Sequence, residues 1–306
     1  MAAFSLLLDG SPVAADPRQV PVDGEKQVDR IASLPMYDIA EAQRATDALW
    51  AALRKAFQRE GIKDVPERLT RDIPVVSQWG APHLFFSQCC GYDIVFGFSS
   101  ALELLGVPRY ADETGCSELG YRSYVIVRDD SRIAALADLR GAVCAVNGFN
   151  SYSGTGSLRA LVAPLSRNGK FFGKIKVSGA HVCSIEMVRA GEADVAAIDC
   201  VTYTLLGRYR PSCLAGTRIL TPTDPVPAPP YVTSRDYPPE TVARIQNALT
   251  SVLNCTPRYA FCDDLFIEGV RLAPLEVYSQ ILARDEIALG RNYYEMHPTS
   301  TALIEA

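Results

Sequence analysis

Positive charge is scarce in this sequence and nowhere clustered. The chain of 306 residues has 30 Lys and Arg against 35 Asp and Glu, and its formal net charge is −5. No block of five or more basic residues occurs along it. Because nucleic acids attract proteins through concentrated positive charge, the sequence predicts no nucleic-acid partner.

Long apolar runs are missing too. No stretch approaches the ~20 apolar residues that a membrane-spanning helix needs, so we expect no membrane span. The apolar run at residues 4–8 has no preceding Lys or Arg, and it is shorter than the roughly 7 to 15 residues of a secretory h-region. We interpret residues 1–27, which are rich in Pro, Asp and Gly, as a flexible N-terminal extension without an export signal.

Cysteine spacings typical of metal sites are absent. The nine cysteines include no C-x-x-C and no cysteine–histidine cluster with zinc spacing, so we expect no metal and no cofactor. Their scatter, partly inside apolar strands, fits a reducing compartment better than a disulfide-stapled secreted fold. The sequence therefore predicts a cytoplasmic protein. A periplasmic protein is the alternative if the N-terminus is misassigned or the leader is missing.

Enzyme signatures are missing as well. The sequence has no G-x-S-x-G, no P-loop and no H-E-x-x-H. The segment 154–159 is not a G-x-G-x-x-G motif, because Arg159 occupies its last position. Ser153, His181 and Asp199 could be imagined as a triad, but their order and setting match no activation geometry. We therefore name no catalytic residue.

Strand-like and helical patterns alternate along the chain from residue 28 onward. Apolar residues recur at four-residue spacing in a helix that we expect Asp38 to cap and Gly61 to end. Further helical patterns cover residues 238–253 and 275–291. Short strands are predicted at the following places: 28–34, 84–87, 121–127, 142–146, 175–177 and 195–198. The alternation predicts an α/β fold of mostly parallel sheets flanked by helices, and the chain is long enough for two lobes.

A hydroxyl-rich, glycine-spaced turn follows the predicted strand at 142–146. It carries Ser151, Ser153, Gly154 and Thr155 and leads into a segment with apolar residues at helical spacing. Helix N-termini leave backbone N–H groups free to bind negative charge. The turn is therefore a candidate cradle for a small anion, and an ordinary polar loop is the alternative that its composition allows.

Other polar side chains stand where predicted strands end. Ligands of open parallel sheets bind beyond the carboxyl ends of the strands, and Tyr37, Gln88, His181 and Asp199 all lie at such ends. Residue type alone gives three of them a second interpretation. Tyr37 could be cleft-wall packing, His181 a structural histidine, and Asp199 a brace of the backbone rather than a ligand contact.

Five ordered motifs resemble those of one protein family. They are I-A-S-L-P-M-Y at 31–37, S-Q-C-C-G-Y at 87–92, G-Y-R-S at 120–123, S-G-A-H-V-C-S at 178–184 and G-E-A-D-V-A-A-I-D at 191–199. Across residues 28–290 the chain resembles the phosphate/phosphite/phosphonate-binding proteins of ABC importers, and most closely a leaderless branch of that family.

The resemblance implies a type II periplasmic-binding fold, in which two α/β lobes joined by two hinge crossovers close on a ligand. The crossovers would fall near residues 123–127 and 199–203. Lobe one would comprise residues 28–122 plus 201–306, and lobe two residues 123–200. An importer permease is the partner that the resemblance implies.

The resemblance also implies a ligand site. The groups that would hydrogen-bond the oxygens of a small anion are Ser151, Ser153, Gly154, Thr155 and His181. The side chains that would close the cleft from the other lobe are Tyr37, Gln88 and Tyr121. Asp199 would either bind a ligand amine or brace the hinge.

Together these patterns predict non-catalytic binding of a small oxyanion of the phosphonate, phosphate or phosphite type. The protein would be a solute receptor for an ABC importer or a ligand sensor. The alternative is a small-molecule enzyme, a lyase or a biosynthetic enzyme, built on the same two-lobe fold. Binding without turnover distinguishes the first interpretation from the second.

Overall fold

The computed structural model describes residues 29–118 and 120–297. The predicted N-terminal extension, residues 1–27, lies outside this part of the chain, as do residues 28 and 298–306 of the predicted first lobe. Among the helices of the described residues, none is both long and apolar enough to cross a membrane.

Helices and strands alternate through the described residues. The helices are α1 (Gln43–Arg59), α2 (Val75–Trp79), α3 (Ser157–Val162), α4 (His181–Arg189), α5 (Cys200–Tyr209), α6 (Pro239–Leu253), α7 (Ala260–Asp264) and α8 (Ser279–Gly290). The strands are β1 (Ile31–Ala32), β2 (Leu84–Gln88), β3 (Leu102–Tyr110), β4 (Gly120–Tyr121), β5 (Ser123–Arg128), β6 (Val143–Val146), β7 (Lys174–Val177), β8 (Val195–Asp199), β9 (Thr217–Pro222), β10 (Val226–Pro227), β11 (Tyr231–Ser234) and β12 (Ile267–Arg271).

Two five-stranded sheets form the centres of two lobes. The first sheet has the strand order β1-β2-β11-β3-β12, and the second has the order β7-β6-β8-β5-β9. A separate antiparallel ribbon joins β4 to β10. Helix α6 packs on the first sheet, and α3 and α4 pack on the second. The predicted α/β class, with two sheets flanked by helices, is confirmed.

Both sheets are mixed rather than mostly parallel, which corrects one detail of the prediction. Parallel pairs join β1 to β2, and β6 to both β7 and β8. Antiparallel pairs join β11 to β2 and β3, and β5 to β8 and β9. The parallel pairs come from consecutive strand–helix–strand units, whereas the antiparallel strands enter or leave a lobe near a crossover.

The boundary predicted at residue 201 also needs correction. The predicted boundary places strand β9 in lobe one. In the structure, β9 pairs with β5 at the edge of the second sheet, with Ile126 opposite Ile219. The chain therefore leaves the second sheet at Asp199, packs Cys200, Val201 and Leu205 of α5 into the first-lobe core, returns to the second sheet as β9, and reaches the first sheet only at β11. Sequence patterning missed this because β9 is an edge strand whose residues are only partly buried, so it lacks a clear apolar alternation.

Helix α1 forms where its apolar period predicts it. Leu49, Leu53 and Phe57 are buried on one face, and the Phe57 ring meets the ring of Phe85 in β2 edge-on, with centroids 5.1 Å apart. Burial of these side chains, each contributing about 1.5–3 kcal/mol, outweighs the modest intrinsic preference of the segment for helix.

The predicted cap of this helix is wrong. The chain enters α1 through a 3-10 turn at Ala40–Ala42, and neither helical start has a side-chain cap. Asp38 instead accepts hydrogen bonds from the Thr46 hydroxyl and the Arg71 guanidinium. The carboxylate therefore ties the Thr46 side chain in the first turn of α1 to the loop that leads to α2, without capping a backbone N–H.

The C-terminal helix contacts both lobes. Tyr278 and Ile281 belong to the buried core of the first lobe, while Ala288 and Tyr293 belong to the core of the second. A third passage of chain thus joins the lobes in addition to the two crossovers.

A buried ion pair fixes this third passage. The Arg159 guanidinium of α3 pairs with Asp285 of α8, and the two side chains are 1% and 4% exposed. Arg159 also donates to the carbonyl oxygens of Tyr293 and Glu295 at 2.8 and 3.1 Å, and the Tyr92 hydroxyl of the first lobe donates to Asp285 at 3.2 Å. We call this cluster the C-terminal joint. Its charged groups are mutually satisfied, as buried ions require.

Candidate functional site

A cleft of about 320 Å³ lies between the lobes at the carboxyl ends of several strands. The predicted residues that line it are Tyr37, Ser151, Ser153, His181 and Asp199. Further lining residues, none of them predicted as a ligand contact, are Trp79, Cys90, Asp93, Asn147, Asn150 and Thr202. The structure therefore brings together side chains from both lobes in the way a hinged binding site needs.

A larger groove of about 660 Å³ lies elsewhere, beside the β4–β10 ribbon. Its walls are mainly Pro225, Val226, Pro227 and Val277. The groove lies away from the carboxyl ends of the parallel strands, and few polar side chains converge in it. The smaller cleft is therefore the stronger candidate, because polar groups with defined partners meet there.

The hydroxyl-rich turn folds back on itself through Ser151. After β6 the chain forms a π-helical turn, Tyr152–Gly156, which continues into α3. The Ser151 hydroxyl accepts a hydrogen bond from the Gly154 backbone N–H at 3.2 Å and so caps the turn. In this structure the Gly154 N–H already has a protein acceptor, so the turn presents side-chain hydroxyls to the cleft more than backbone donors.

The structure does not place Gly154 and Thr155 on the cleft wall. The Thr155 hydroxyl donates to the Gly148 carbonyl at 2.6 Å, and the residue is fully buried. A Cβ at Gly154 would lie 1.8 Å from the Asn147 side-chain oxygen. Both residues therefore stabilise the turn and do not face the cleft. Gly154 packs tightly against Asn147, and the Thr155 hydroxyl bonds across the loop to Gly148.

Ser153 and His181 form the polar centre of the second-lobe wall. The Ser153 hydroxyl lies 2.9 Å from His181 Nε2, and His181 is the first residue of α4. Burial lowers the pKa of His181 to about 4, although the nearby Ala197 backbone has the opposite effect. Near neutral pH the imidazole is therefore uncharged, and this end of the cleft offers neutral hydrogen-bonding groups to a ligand.

Asp199 braces the second crossover. Its carboxylate accepts from the Thr202 backbone N–H at 2.8 Å, which caps α5, and from the Tyr37 hydroxyl at 3.0 Å. Burial raises its pKa to about 6, against the lowering effect of these hydrogen bonds. Tyr37 belongs to the first lobe, so this pair joins the two lobes directly. The bracing interpretation of Asp199 is therefore observed, and its side chain also reaches the cleft.

The conceivable triad is not assembled. Asp199 directs its carboxylate oxygens to Tyr37 and Thr202, whereas the partner of the His181 ring is Ser153. A general base needs an orienting acid on its far side and a pKa closer to the operating pH. The pair of Ser153 and His181 has neither feature.

Asp93 is the main residue that sequence reasoning missed. It opens the π-helical turn Asp93–Gly97, lines the cleft from the first lobe, and is 6% exposed. Burial raises its pKa to about 7, although a hydrogen bond from the Cys90 backbone opposes this. Its position one residue after the S-Q-C-C-G-Y motif was the available signal. The strand-end rule extends to a carboxyl that directly follows such a motif, and so it also indicates Asp93 as a candidate ligand contact.

The charge of the cleft is unusual for an anion site. Its lining includes the carboxyls of Asp93 and Asp199 and no Lys or Arg. The Asn147 side-chain oxygen is buried there and has no hydrogen-bond partner. The cleft therefore combines hydroxyl, imidazole and amide groups of the second lobe, where Asn147 lies beside Gly154 and His181, with the carboxyls of Asp93 and Asp199.

Gln88 and Tyr121 lie away from the cleft. The Gln88 amide donates to the Tyr110 hydroxyl at 3.1 Å and to the Pro229 carbonyl at 2.9 Å, both inside the first lobe. Tyr121 is 1% exposed in β4, where it pairs with Val226 of β10. The strand-end rule placed Gln88 near the right edge, but its side chain points into the core of the sheet.

Within the part of the chain that the structure describes, no group of three or more His, Cys, Asp or Glu side chains is arranged to hold a metal ion. Most cysteines there are buried, and burial raises the pKa of the Cys90 thiol in the cleft wall to about 12. Cys90 accepts a hydrogen bond from the Tyr152 backbone at 3.3 Å. It therefore serves as a packing group between the lobes.

A sequence profile decides the family. The profile of the ABC-transporter phosphonate periplasmic substrate-binding proteins matches residues 90–262, more than half of the chain. The chain belongs to this family. The matched segment contains Asp93, the hydroxyl-rich turn, His181 and Asp199, so the profile spans most of the cleft of this phosphonate-binding family member. A search of curated protein sequences found no match.

Solved structures show the same fold at low sequence identity. The binding protein component of an ABC phosphonate transporter from Pseudomonas aeruginosa has a TM-score of 0.68 and 14% identity, covering 87% of this chain and 90% of that one. PhnD1 from Prochlorococcus marinus, solved with methylphosphonate, has a TM-score of 0.65 and 14% identity, covering 87% and 99%. The alkanesulfonate-binding protein SsuA from Xanthomonas axonopodis, solved with MOPS, has a TM-score of 0.57 and 13% identity, covering 86% and 93%.

Proposed function

We propose that this protein binds a small oxyanion of the phosphonate type in the interlobe cleft without chemical turnover, and serves as a solute receptor for an ABC importer. The observation that carries the proposal is the convergence of Ser151, Ser153 and His181 on one end of a cleft of about 320 Å³. A ligand sensor that uses the same binding step is the variant of this role that needs no permease.

Neutral donors supply part of the binding free energy that such a ligand needs. A hydrogen bond to a charged group contributes roughly 1.5–3 kcal/mol, so three such bonds give about 5–9 kcal/mol before the costs of association. A micromolar complex corresponds to about 8 kcal/mol net. Closure of Trp79 and Tyr37 over the ligand supplies the remaining apolar contact.

The acidic end of the cleft favours a ligand that also carries a positive group. An anion without one would approach Asp93 and Asp199 with no Lys or Arg in the lining to compensate. An ammonium group on the ligand would pair with Asp93, whose carboxyl has no Lys or Arg beside it in the described cleft lining. We therefore place aminoalkylphosphonates above inorganic phosphate as ligands of this cleft.

An enzyme on the same fold is the second candidate, and the 2.9 Å contact between Ser153 and His181 is the observation that favours it. Its weakness is the pKa of about 4 at His181, which makes the imidazole a poor base. A turnover assay separates the candidates. Mass-spectrometric loss of any bound phosphonate at catalytic protein concentration would support the enzyme and contradict the receptor.

Thermal shift and calorimetry test the receptor role with a panel of ligands. The panel contains 2-aminoethylphosphonate, methylphosphonate, phosphite, phosphate, sulfate and small carboxylates. A ligand at ~100 times its Kd stabilises the folded protein by about 2.7 kcal/mol, which raises Tm by several degrees. We expect the largest shift with 2-aminoethylphosphonate. No shift with any oxyanion of the panel would overturn the proposal.

The importer partner and the compartment need their own experiments. Copurification of the full chain with a candidate permease from the same cells would test the partner that the family implies. The cytoplasmic location stays a prediction from the cysteine pattern. Fractionation of the native source, with a periplasmic marker as control, is the measurement that decides it.

A further inference from the structure

Two buried cysteines meet at the hinge. The Sγ atoms of Cys116 and Cys200 lie 3.5 Å apart, which is van der Waals contact between sulfurs. Cys116 is 6% exposed and Cys200 is fully buried. The residues are 84 positions apart in the sequence, so their contact is a product of the fold.

The two sulfurs belong to the two chain passages between the lobes. Cys116 lies on the segment that leaves β3 for β5, directly after the left-handed Gly115, whose φ is 78°. Cys200 is the first residue of α5 and follows Asp199, and its backbone N–H donates to the Arg122 carbonyl at 3.0 Å. A bond between the sulfurs would fasten the first crossover to the second.

Other cysteines have different neighbours. Cys90 accepts from the Tyr152 backbone, Cys144 donates to the Ala145 carbonyl, and Cys255 donates to the Pro257 carbonyl. These thiols are satisfied by backbone groups rather than by a second sulfur. The contact at the hinge is therefore a distinct local chemistry.

We infer that Cys116 and Cys200 are a modification site: an oxidant converts them to an intramolecular disulfide that ties the two crossovers of the hinge. This inference is independent of which ligand the cleft binds. A bond length of about 2.05 Å requires the sulfurs, which lie 3.5 Å apart, to approach by about 1.5 Å.

The reaction balances with a small-molecule disulfide such as oxidised glutathione. The Cys116 thiolate, which belongs to the more exposed residue of the pair, attacks the small disulfide and releases one thiol. Cys200 then attacks the mixed disulfide, forms the protein S–S bond and releases the second thiol. The two S–H protons pass through solvent to the two released thiolates, and the two electrons reduce the small disulfide, which therefore ends as two thiols.

Burial of the two thiols should slow this oxidation. The contact with Cys116, followed by burial, raises the pKa of the Cys200 thiol well above its ordinary value. Modification of Cys116 removes the largest cause of that rise, and Cys200 becomes the resolving thiol. We expect slow oxidation in the closed protein and faster oxidation when the hinge opens.

The test uses the purified full chain and oxidised glutathione at neutral pH. After oxidation, the protein is denatured in N-ethylmaleimide and mapped without reduction. We expect loss of two of the nine thiols and a linked peptide pair that contains Cys116 and Cys200. The oxidised protein should also gain about 5 °C or more in Tm, because the cross-link closes a long loop, and dithiothreitol should reverse the gain.

Variants make the assignment specific. Cys116→Ser and Cys200→Ser should each abolish the linked peptide and the dithiothreitol-sensitive gain in Tm. Cys213→Ser is the matched control, since Cys213 is a buried thiol away from the pair, and it should retain both. If Cys200→Ser does not fold, Cys116→Ser and the wild-type peptide map still decide the question.

Three results would overturn the inference. The first is a map in which both thiols remain alkylated after prolonged oxidation. The second is a link between other cysteines, such as Cys255 and Cys262, in place of this one. The third is a Cys116→Ser protein that keeps the dithiothreitol-sensitive gain in Tm.

Discussion

The lobes of this protein meet in two places that treat charge in opposite ways. At the C-terminal joint, Arg159 faces Asp285 and two backbone carbonyls, so the buried charges have partners on all sides. In the cleft, Asp93 is almost as deeply buried but has no basic partner among the lining residues. The charges of the joint are paired within the protein, whereas the Asp93 carboxyl in the cleft would gain a cationic partner only from a ligand.

Charged groups buried to a similar depth therefore have different effects on stability at the two places. Ion pairs that satisfy each other contribute little net stability, but removal of one partner is expensive because it strands the other. An unpaired carboxyl in a cleft keeps a raised pKa and reduces stability whenever it ionises. Variants at the two places should therefore separate stability from affinity.

The largest effect should come from breaking the joint. Arg159→Leu removes the guanidinium and leaves the buried Asp285 with His297, whose Nε2 lies 2.9 Å from its Oδ2; this should lower the free energy of unfolding by about 3–5 kcal/mol, while the Kd of a bound phosphonate changes less than about threefold. Urea unfolding and calorimetry measure the two quantities. Arg128→Leu, which breaks an exposed pair with Asp130, is the control and should cost less than about 1 kcal/mol. An equal loss in both variants would refute the distinction.

The hydroxyl end of the cleft should show the reverse pattern. Ser153→Ala removes one hydrogen bond to the ligand and should weaken binding by about 1.5–3 kcal/mol, roughly 10- to 150-fold in Kd. The stability of the unliganded protein should change little, because the Ser153 backbone carbonyl still accepts from Ser123 and Ser157. Ser166→Ala, in the same lobe but away from the cleft, is the matched control for titration calorimetry. Unchanged binding in Ser153→Ala would place the oxyanion elsewhere.

Asp93 should govern discrimination between ligands and the pH dependence of stability. Its pKa is raised to about 7, above the ~3.9 of an unfolded Asp, so the folded protein holds this proton between the two values. The stabilising contribution is complete below about pH 4 and is lost as the pH rises through about 7. Asp93→Asn should flatten that part of the Tm curve.

The same variant tests the zwitterionic ligand. At pH 8, Asp93→Asn should weaken 2-aminoethylphosphonate by about tenfold, the effect of one lost charge pair of about 1.4 kcal/mol, and should leave methylphosphonate nearly unchanged. Asp199 is present in both proteins, so its contribution should cancel in the comparison. Equal losses for the two ligands would argue against an ammonium group beside Asp93.

The smallest effect should come from Thr155. Its hydroxyl donates to the Gly148 carbonyl and does not line the cleft, so Thr155→Val should cost about 0.5–1.5 kcal/mol of stability and leave Kd within twofold. The hydroxyl-rich turn as a whole is then a mixture of two functions, with Ser153 toward the ligand and Thr155 toward the turn. A Kd that rises as much as in Ser153→Ala would restore the ligand role that the family resemblance implies.

Local sequence patterns correctly predicted those elements whose structure is determined by residues close together in the sequence. The apolar period of α1 and the strand–turn–helix order around Ser153 were readable, because burial on one face and turn chemistry are written within a few residues. The strand-end rule found Tyr37, His181 and Asp199 for the same reason. It failed for Gln88, since which face of the sheet a strand-end side chain takes depends on Tyr110 and the carbonyl of Pro229.

Contacts between distant segments could not be predicted in this way. The pair of Arg159 and Asp285 joins residues 126 positions apart, and each looks like an ordinary surface charge of an amphipathic helix. Strand β9 becomes part of the second lobe only through its pairing with β5. The sequence alone also placed nothing between Cys116 and Cys200, because cysteine spacing does not reveal which loops meet.

Because α8 contacts both lobes, we expect it to limit how far the lobes can open. With two crossovers alone, the lobes would swing through a wide arc and lose much rotational freedom on closing. The joint at Arg159 acts as a stop on that swing, so the empty protein samples a narrower range of opening angles. Ligand capture should then require less ordering, and α8, which does not line the cleft, should contribute to affinity by no more than the roughly threefold change in Kd expected for Arg159→Leu.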